Sequence, residues 1–399
     1  MVSAKLFLSK KKVGCLRRLM AFLVLAVFAA SSAFVGIRMA TMEASVVLSS
    51  IFSMPAGVSL AAVGEKVGNR WAAAVDGKFV VGRDAEKVQA TASTTKMILA
   101  LSVLEKKPLK SGEKGEEFEI TQEMYDIYTW YVQNNGSNTK VEVGEKISEY
   151  DALASVMLKS SNNMADSLAI WAFGSISEYQ KYATEMIKGF GLTKTTIGAK
   201  DASGYDESTT STAKELAEIG YRVMTHPVLS EIVALKTANV PVAGEISNTN
   251  LLLGKAGISG VKTGYIGEPS GYCIVSGYEK DGHVVTVALL NADTRDASFS
   301  GNLAIVEDLQ KKLVMQEILK KGDEVGYYDS WWAGKVPVLA AEDFSEVNYM
   351  GAEVKTEMYD GVMKIRIGEK EYNLSTETPD FSREPSLFER FLHVFGWKK

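Results

Sequence analysis

Thr91-Ala92-Ser93-Thr94-Thr95-Lys96 runs directly into Met97–Leu104, a stretch that is apolar almost all round. A helix without a polar face is stable only in the interior of a domain, so Met97–Leu104 predicts a central, buried helix. Ser93 then lies where this helix begins. Because residues three apart fall on one face of a helix, the amine of Lys96 can reach the hydroxyl of Ser93. The stretch therefore indicates a serine nucleophile with a lysine base.

Lysine is the expected base because the histidines of the chain are badly placed for this role. The chain has three, His226, His283 and His393, and none accompanies a Gly-x-Ser-x-Gly turn, so a Ser-His-Asp triad is not expected. A helix N-terminus disfavours positive charge and burial lowers a lysine pKa, so Lys96 can be neutral. No His/Cys cluster has zinc spacing and no Gly-rich loop precedes Lys-Ser/Thr, so no cofactor is expected.

The Ser-x-x-Lys spacing alone is weak, because it also occurs at Ser9–Lys12, Ser137–Lys140 and Ser211–Lys214. The first pair lies in the basic N-terminal segment, the second in a turn rich in Gly and Asn, and the third at the start of a charged helix that is expected at the surface. Ser93 alone precedes a helix that is expected to be buried.

Two further segments have the composition of a site. Ser160-x-Asn162 lies between the helical patterns Asp151–Lys159 and Ala165–Phe173, and an ordinary interhelix turn is its alternative reading. Lys262-Thr263-Gly264 occurs in a predicted strand, where an exposed lysine before a bend is the alternative. Functionally, a cation, a hydroxyl and a glycine that lets a ligand approach the backbone suit a terminal carboxylate.

Alternation and turn signals predict an antiparallel sheet around these motifs. Its predicted strands form one hairpin near the start of the domain and a group after Gly260, and a helix closes the domain: Trp71–Val75, Lys78–Val81, Val261–Gly264, Tyr272–Tyr278, His283–Asn291 and the helix Leu303–Lys320. After Lys321-Gly322 the composition changes to short strand-like pieces, which predict a small β module.

The first 40 residues differ from the rest in charge. They hold seven of the 44 Lys/Arg residues and no acid, so residues 41–399 carry 37 basic against 49 acidic side chains. A body this acidic is not expected to bind nucleic acid. Arg18 is followed by 19 uncharged residues, Leu19–Ile37, which predict an export signal, either cleaved after the small residues Ser31-Ser32-Ala33 or retained as an anchor. A buried core helix is the other reading.

The C-terminal segment Pro385–Trp397 has apolar residues at helical spacing, and Lys398-Lys399 follows it. This composition predicts an amphipathic helix that lies in a membrane surface. A helix that docks on the folded body is the alternative.

Ser93-x-x-Lys96, Ser160-x-Asn162 and Lys262-Thr263-Gly264, in this order, resemble the three motifs of penicillin-binding proteins and serine β-lactamases. More narrowly, the chain resembles the D-alanyl-D-alanine carboxypeptidases, which are low-molecular-mass penicillin-binding proteins of serine peptidase family S11. The likeness covers about residues 66–320. The other segments that carry it are Gly136-Ser137 to Lys146-Ile147-Ser148, Met157–Asn163, Asn248-Thr249-Asn250 and Ser270-Gly271-Tyr272.

The resemblance implies an α+β fold, a penicillin-binding/β-lactamase-like transpeptidase domain in which helices flank an antiparallel sheet beside an all-helical lobe. A small C-terminal β domain is expected to follow. The boundaries that we expect are 1–40 for the signal peptide or N-terminal membrane anchor, 41–65 for a linker, 66–321 for the catalytic domain, 322–376 for the small β domain, and 377–399 for a linker and amphipathic helix.

By resemblance, the substrate is a peptidoglycan stem peptide that ends in D-Ala-D-Ala, β-lactams are inhibitors, and the place of action is the extracytoplasmic face of the bacterial cell membrane. The peptide carbonyl between the two D-alanines would acylate the serine, and water would release the shortened peptide. The positions that match are Ser93, Lys96 and Ser160 as catalytic groups, Asn162, Lys262, Thr263 and Gly264 as substrate-binding groups, and the backbone N–H groups of Ser93 and Tyr265 as the oxyanion hole.

The chain departs from the family pattern at two positions of the site. Asn163 stands where Asp is usual, and Tyr265 where His is common. Neither change removes a reacting group. The C-terminal module is also shorter than the family's second domain.

Three other functions remain open from the sequence. An endopeptidase that cuts crosslinks has the same motifs. A class A β-lactamase would need a Glu-x-x-x-Asn loop, and neither Glu178 nor Glu185 fits that pattern. A non-catalytic cell-wall binding protein is the third alternative, which the presence of all reacting residues disfavours.

Overall fold

The computed structural model describes residues 63–64, 66–330, 334–348, 354–359, 362–367 and 370–377, the strand Ser45–Val47, and single positions or short runs within 20–33 and at 388 and 392. Among these residues, no helix is long and apolar enough to cross a membrane. Most of the predicted export segment and of the predicted C-terminal helix lies outside the described residues.

The helices of the folded body are α1 Lys96–Lys106, α2 Gln122–Gln133, α3 Glu149–Met157, α4 Asn162–Phe173, α5 Ile176–Gly189, α6 Ala213–Thr225, α7 Pro227–Ala234 and α8 Arg295–Lys312. Short 3-10 turns cover Ala92–Thr95 and Lys255–Gly257. The sequence predicted α1, α3, α4 and α6 within a few residues, whereas α5 and α7 were not predicted.

The strands are, in chain order, β1 Ser45–Val47, β2 Arg70–Val75, β3 Lys78–Arg83, β4 Gln89–Ala90, β5 Glu117–Glu119, β6 Lys146–Ser148, β7 Thr210–Ser211, β8 Thr237–Val240, β9 Gly244–Ser247, β10 Gly260–Gly264, β11 Tyr272–Lys280, β12 His283–Ala292, β13 Val314–Leu319, β14 Glu324–Ser330, β15 Gly334–Ala340, β16 Phe344–Asn348, β17 Val354–Tyr359, β18 Val362–Ile367 and β19 Lys370–Glu377.

The central sheet is antiparallel, with the strand order β10-β11-β12-β2-β3. Both of its faces are buried, which explains why β2 is apolar throughout rather than alternating. Ala72 and Ala74 pack with the helical lobe on one face, and Trp71, Ala73 and Val75 pack with α8 on the other. The predicted hairpin with its turn at Asp76-Gly77 is confirmed. The α+β fold is confirmed as well.

Helix α1 is the centre of the helical lobe, as its apolar sequence predicts. Residues 96–104 are all buried, and α1 packs against α3, α4, α5 and α6. At about 25 cal/mol per Å² of buried apolar surface, such a helix contributes much of the stability of the lobe. The 3-10 turn Ala92–Thr95 leads into α1 and is itself buried. Ser93 is thus fixed at the base of the most rigid element.

The predicted helix Leu303–Lys320 is wrong at its C-terminal end. Helix α8 ends at Lys312, and β13 follows and pairs with β16. The reason lies in the packing, because Ile318 and Leu319 are buried in the core of the C-terminal module rather than against the central sheet.

The C-terminal module has its own hydrophobic core and a sheet in the order β1-β14-β15-β19-β18-β17. Strand β1, in the segment that was expected to be a linker, pairs with β14. Strand β13, before the expected boundary at residue 322, pairs with β16 of this module. The segments on both sides of the catalytic domain therefore contribute to one module.

A buried charge cluster joins this module to the central sheet. Lys370 of β19 donates to Glu346 at 3.0 Å and lies 3.4 Å from Asp76 in the β2–β3 turn. Asp76 also contacts His283 at 2.6 Å and accepts the Val284 N–H at 3.0 Å. Burial opposes ionisation of Asp76, but these donors and the charge of Lys370 together lower its pKa. The cluster favours the carboxylate form of Asp76.

Asp76→Asn is expected to lower the free energy of unfolding by about 1–2 kcal/mol at pH 7, because it removes hydrogen bonds to a charged acceptor. Since the folded-state pKa of Asp76 is lowered, this stabilisation is present above the ordinary carboxyl pKa of about 4 and is lost as pH falls below it. Urea unfolding of both proteins between pH 7 and pH 3 measures the difference. Asp84→Asn is the control, because Asp84 also has positive φ but pairs only with Lys87 in an exposed turn. A difference that does not depend on pH would contradict this account.

Candidate active site

Lys96 and Ser93 are in direct contact. The Nζ of Lys96 lies 2.8 Å from the Oγ of Ser93, 2.8 Å from the Oδ1 of Asn162 and 2.9 Å from the carbonyl oxygen of Ser203. The ammonium form would donate all three of its protons to these acceptors. The neutral form has a lone pair that can instead accept the proton of Ser93.

The environment of Lys96 favours the neutral amine. Lys96 is fully buried at the start of α1. Burial lowers its pKa to about 7, although the carboxylates of Asp201 and Asp166 act in the opposite direction. A base with a pKa near 7 is suited to proton transfer at neutral pH.

A second lysine lies on the opposite side of the site. Lys262 in the edge strand β10 donates to the Oγ of Ser160 at 2.9 Å and to the carbonyl of Thr263 at 3.0 Å. Burial and the proximity of Lys96 hold the pKa of Lys262 well below its usual range. Ser160 has a φ of 60°, in the left-handed region that only a few non-glycine residues adopt. This conformation, between α3 and α4, presents a hydroxyl of the helical lobe to an amine of the sheet.

The three predicted motifs therefore meet at one cleft. A cavity of about 320 Å³ lies between the helical lobe and β10. Ser93, Ser160, Asn162, Thr263, Gly264 and Tyr265 line it, and Lys96 and Lys262 lie beneath its wall. The hydroxyl of Thr263 contacts that of Thr249 at 2.8 Å.

Gly264 brings the end of β10 against the turn that carries Ser93. A Cβ atom at position 264 would lie 2.9 Å from the backbone N of Ser93 and 3.1 Å from that of Thr94. A side chain at this position would thus separate strand and turn. Tyr265 follows at once, and its ring stacks on Tyr272 with centroids 4.0 Å apart.

Asn163, the departure from the family pattern, holds the loop at the edge of the cleft. Its Oδ1 accepts the Thr139 N–H at 3.0 Å and the Ser161 hydroxyl at 2.8 Å, and its Nδ2 donates to the Thr139 carbonyl at 3.0 Å. The backbone N–H of Asn162 donates to the Ser137 carbonyl at 2.7 Å. An amide can satisfy both the donor and the acceptor of Thr139, and a carboxylate cannot.

Asn163→Asp is accordingly expected to destabilise the protein by about 1–3 kcal/mol at pH 7, because a buried carbonyl loses its donor and faces a charge. The defect should shrink at low pH, where a protonated carboxyl group can donate again. Thermal unfolding between pH 7 and pH 4 measures it. Asn138→Asp is the control, since Asn138 is a more exposed residue of the same loop. An equal or larger defect at low pH would contradict the assignment.

A buried polar network behind Lys96 was not predicted from the sequence. Asp201 accepts the N–H and hydroxyl of Ser203 at 2.8 and 2.7 Å. Asp166 accepts the Tyr131 hydroxyl and the Ala202 N–H, both at 2.8 Å. These contacts fix the Ser203 carbonyl that faces Lys96. A backbone acceptor has no side-chain signature, so only the turn composition of Asp201–Gly204 hinted at this loop.

The structure also brings other unpredicted residues to the cleft: Asn135, Gly136, Ser137, Tyr205, Thr249, Ile266, Tyr272, Arg295 and Phe299. Ser137, which belongs to one of the discarded Ser-x-x-Lys pairs, therefore lines the site without a lysine partner of its own: Lys140 pairs with Glu142 at 3.3 Å instead. Among the described residues, no cluster of His, Cys, Asp and Glu has the geometry of a metal site.

Comparison with known proteins places this cleft in a family. A family model of D-alanyl-D-alanine carboxypeptidases matches residues 72–294. The carboxypeptidase DacF of Bacillus subtilis is 25% identical over 227 residues, which are 55% of this chain and 55% of the relative. A D-alanyl-D-alanine endopeptidase of Pseudomonas aeruginosa is 26% identical over 208 residues, 50% of this chain and 62% of the relative. The matches thus span less than two thirds of either curated relative.

Solved structures share the fold. The peptidoglycan synthesis regulatory factor PBP3 of Streptococcus pneumoniae has a TM-score of 0.64 at 19% identity and covers 78% of this chain and 98% of its own. The Streptomyces K15 DD-transpeptidase has a TM-score of 0.54 at 23% identity, covering 64% and 98%. Penicillin-binding protein D2 of Listeria monocytogenes, solved with ampicillin bound, has a TM-score of 0.51 at 26% identity, covering 60% and 96%.

Proposed function

Because this chain belongs to the D-alanyl-D-alanine carboxypeptidase family, we propose that it is a serine D-Ala-D-Ala carboxypeptidase that trims peptidoglycan stem peptides. The contact that carries the proposal is the 2.8 Å approach of the Lys96 amine to the Ser93 hydroxyl, at the start of a buried helix. A fully buried amine with a pKa near 7 has little structural use, because burying it costs stability. Activation of a nucleophile accounts for it.

In the proposed acylation step, neutral Lys96 accepts the proton of the Ser93 hydroxyl while Oγ attacks the carbonyl carbon between the two D-alanines. The backbone N–H groups of Ser93 and Tyr265 would stabilise the oxyanion of the tetrahedral intermediate. The intermediate then collapses, and the C–N bond breaks. Ser160 donates its proton to the leaving amine and regains one from Lys262, to which it is hydrogen bonded at 2.9 Å.

The terminal carboxylate of the substrate would bind at Lys262 and Thr263. A carboxylate beside Lys262 would supply the negative charge that favours its ammonium form, so substrate binding would supply the proton that Ser160 needs. The oxygen of Asn162 is engaged by Lys96, and its NH₂ group would donate to the substrate amide. Water would then attack the acyl-enzyme and release the shortened peptide and free Ser93.

An endopeptidase activity on crosslinked peptides is the second candidate, because one of the two curated relatives bears that name. It requires that the cleft admit a longer leaving group beyond the scissile bond. For either reaction, we propose that the protein works on the extracytoplasmic side of the cell membrane, where peptidoglycan lies, and that the basic, apolar N-terminal segment and the amphipathic tail attach it there. β-Lactams are the proposed inhibitors.

Incubation of the full chain with a fluorescent penicillin tests the proposal. We expect a covalent adduct of long lifetime that maps to the peptide containing Ser93, and release of D-alanine from a pentapeptide that ends in D-Ala-D-Ala. Cleavage of a crosslinked dimer, measured in parallel, separates the endopeptidase candidate. Absence of an adduct would refute the proposal, and rapid hydrolysis of the penicillin would indicate a β-lactamase.

A further inference from the structure

A second cavity, of about 590 Å³, adjoins the active-site cleft. Tyr205 and Ile266 line both, so the two spaces share a wall. The second cavity is larger than the cleft itself, and none of the groups proposed to react at Ser93 lines it. Its shape therefore calls for an occupant other than the D-Ala-D-Ala end of the substrate.

Aromatic rings form one side of this second cavity. Trp130, Tyr131 and Tyr205 meet edge to face, with centroids 5.0–5.7 Å apart and interplanar angles of 82–84°. Trp130 nevertheless keeps 49% of its surface exposed. Edge-to-face packing fixes the rings and leaves faces available, and an aromatic face carries the negative part of the ring quadrupole.

Acidic groups form the other side. Asp206 and the exposed Glu207 lie at the mouth, and Asp201 and Asp166 lie deeper. Lys200 is the cation that lines this space, and it pairs with Asp206 at 2.7 Å. Glu207 makes no ion pair within the described part of the chain, so its carboxylate is available. The electrostatic balance of the cavity is negative.

Aromatic faces next to carboxylates are the surroundings that an ammonium group prefers. From this we infer that the second cavity binds the protonated side-chain amine of the stem-peptide residue that precedes the D-alanine attached to Ser93. The inference rests on the proposed function and adds to it a substrate class, stem peptides with a free amine at this residue. The residue next to the acylating D-alanine extends away from Lys262 and Thr263, and its side chain can cross the shared wall at Tyr205.

Two pentapeptides that differ only in this amine test the inference: L-Ala-γ-D-Glu-L-Lys-D-Ala-D-Ala and the same peptide with Nε-acetyl-lysine. We expect the full chain to release D-alanine from the first with a kcat/KM roughly 10-fold higher, as a cation–π contact and an exposed ion pair together suggest. Glu207→Gln and Trp130→Ala should each reduce this preference several-fold while the acetylated peptide is turned over at an unchanged rate.

Glu279→Gln, at an exposed turn residue outside both cavities, is the matched control and should keep the preference. The penicillin adduct at Ser93 separates the two ideas, since a penicillin carries no stem-peptide amine. Equal turnover of both peptides by an enzyme that forms the adduct would overturn the inference and leave the proposed function standing. A preference that survives both substitutions would also overturn it. Absence of both adduct and D-alanine release would overturn both proposals.

Discussion

Ser93→Ala is expected to abolish both the penicillin adduct and D-alanine release, with a loss of at least about 10⁴-fold in kcat/KM, the scale seen when a nucleophile is removed. The variant should still fold, because the Ser93 hydroxyl faces the cleft and its partner Lys96 keeps Asn162 and the Ser203 carbonyl as acceptors. Adduct formation on a denaturing gel and a coupled D-alanine assay measure the loss.

Ser211→Ala is the matched control for this prediction, since Ser211 begins another Ser-x-x-Lys pair. Its hydroxyl contacts that of Thr195 at 2.7 Å, and Lys214 of the same pair lies 3.3 Å from Glu86 at the surface. The control should lose about 1 kcal/mol of stability through a buried hydrogen bond and keep its full acylation rate. A normal adduct on Ser93→Ala, or loss of the adduct on Ser211→Ala, would contradict the assignment of the nucleophile.

The sequence identified these residues because the lysine partner differs in its surroundings. An apolar run with no polar face predicted that Lys96 is buried, whereas charged neighbours predicted that Lys214 is exposed, and both expectations are confirmed. The sequence did not reveal the Asp201–Ser203 loop, because its contribution to Lys96 is a backbone carbonyl. It did not reveal the second cavity either, since Trp130 and Glu207 are 77 residues apart and no pattern links them.

The errors in the predicted fold have the same origin. Apolar spacing alone does not tell which body a segment packs against. Residues 303–320 fit a helical pattern, but the structure divides them between α8 on the central sheet and β13 in the C-terminal module. The short strand β1 was not predicted because its partner, β14, lies almost 280 residues later. Local patterns predicted the elements around Ser93 well, since these elements contact neighbours that are close in the chain.

Lys96→Arg is expected to lower the acylation rate by about 10²–10⁴-fold, the range that general base catalysis contributes. Arginine keeps the positive charge but does not lose its proton in proteins, so it cannot accept the proton of Ser93. The measurement is the second-order rate of penicillin acylation, with thermal unfolding to show that the variant is folded. Lys140→Ala is the control, because Lys140 completes a Ser-x-x-Lys pair but is exposed and paired with Glu142. It should acylate at the normal rate.

The same lysine sets the pH dependence of the unmutated protein. With the pKa of Lys96 lowered to about 7 by burial, acylation should rise between pH 5 and pH 9 and reach half its maximum near pH 7, because only the neutral amine is a base. The carboxylate of Asp166 raises this pKa, so Asp166→Asn should move the midpoint to lower pH while Ser93 and Lys96 remain in place. A flat profile, or a midpoint near the ordinary lysine value of about 10.4, would exclude Lys96 as the base. A midpoint that moves upward in Asp166→Asn would show that the buried carboxylates do not act on it through their charge.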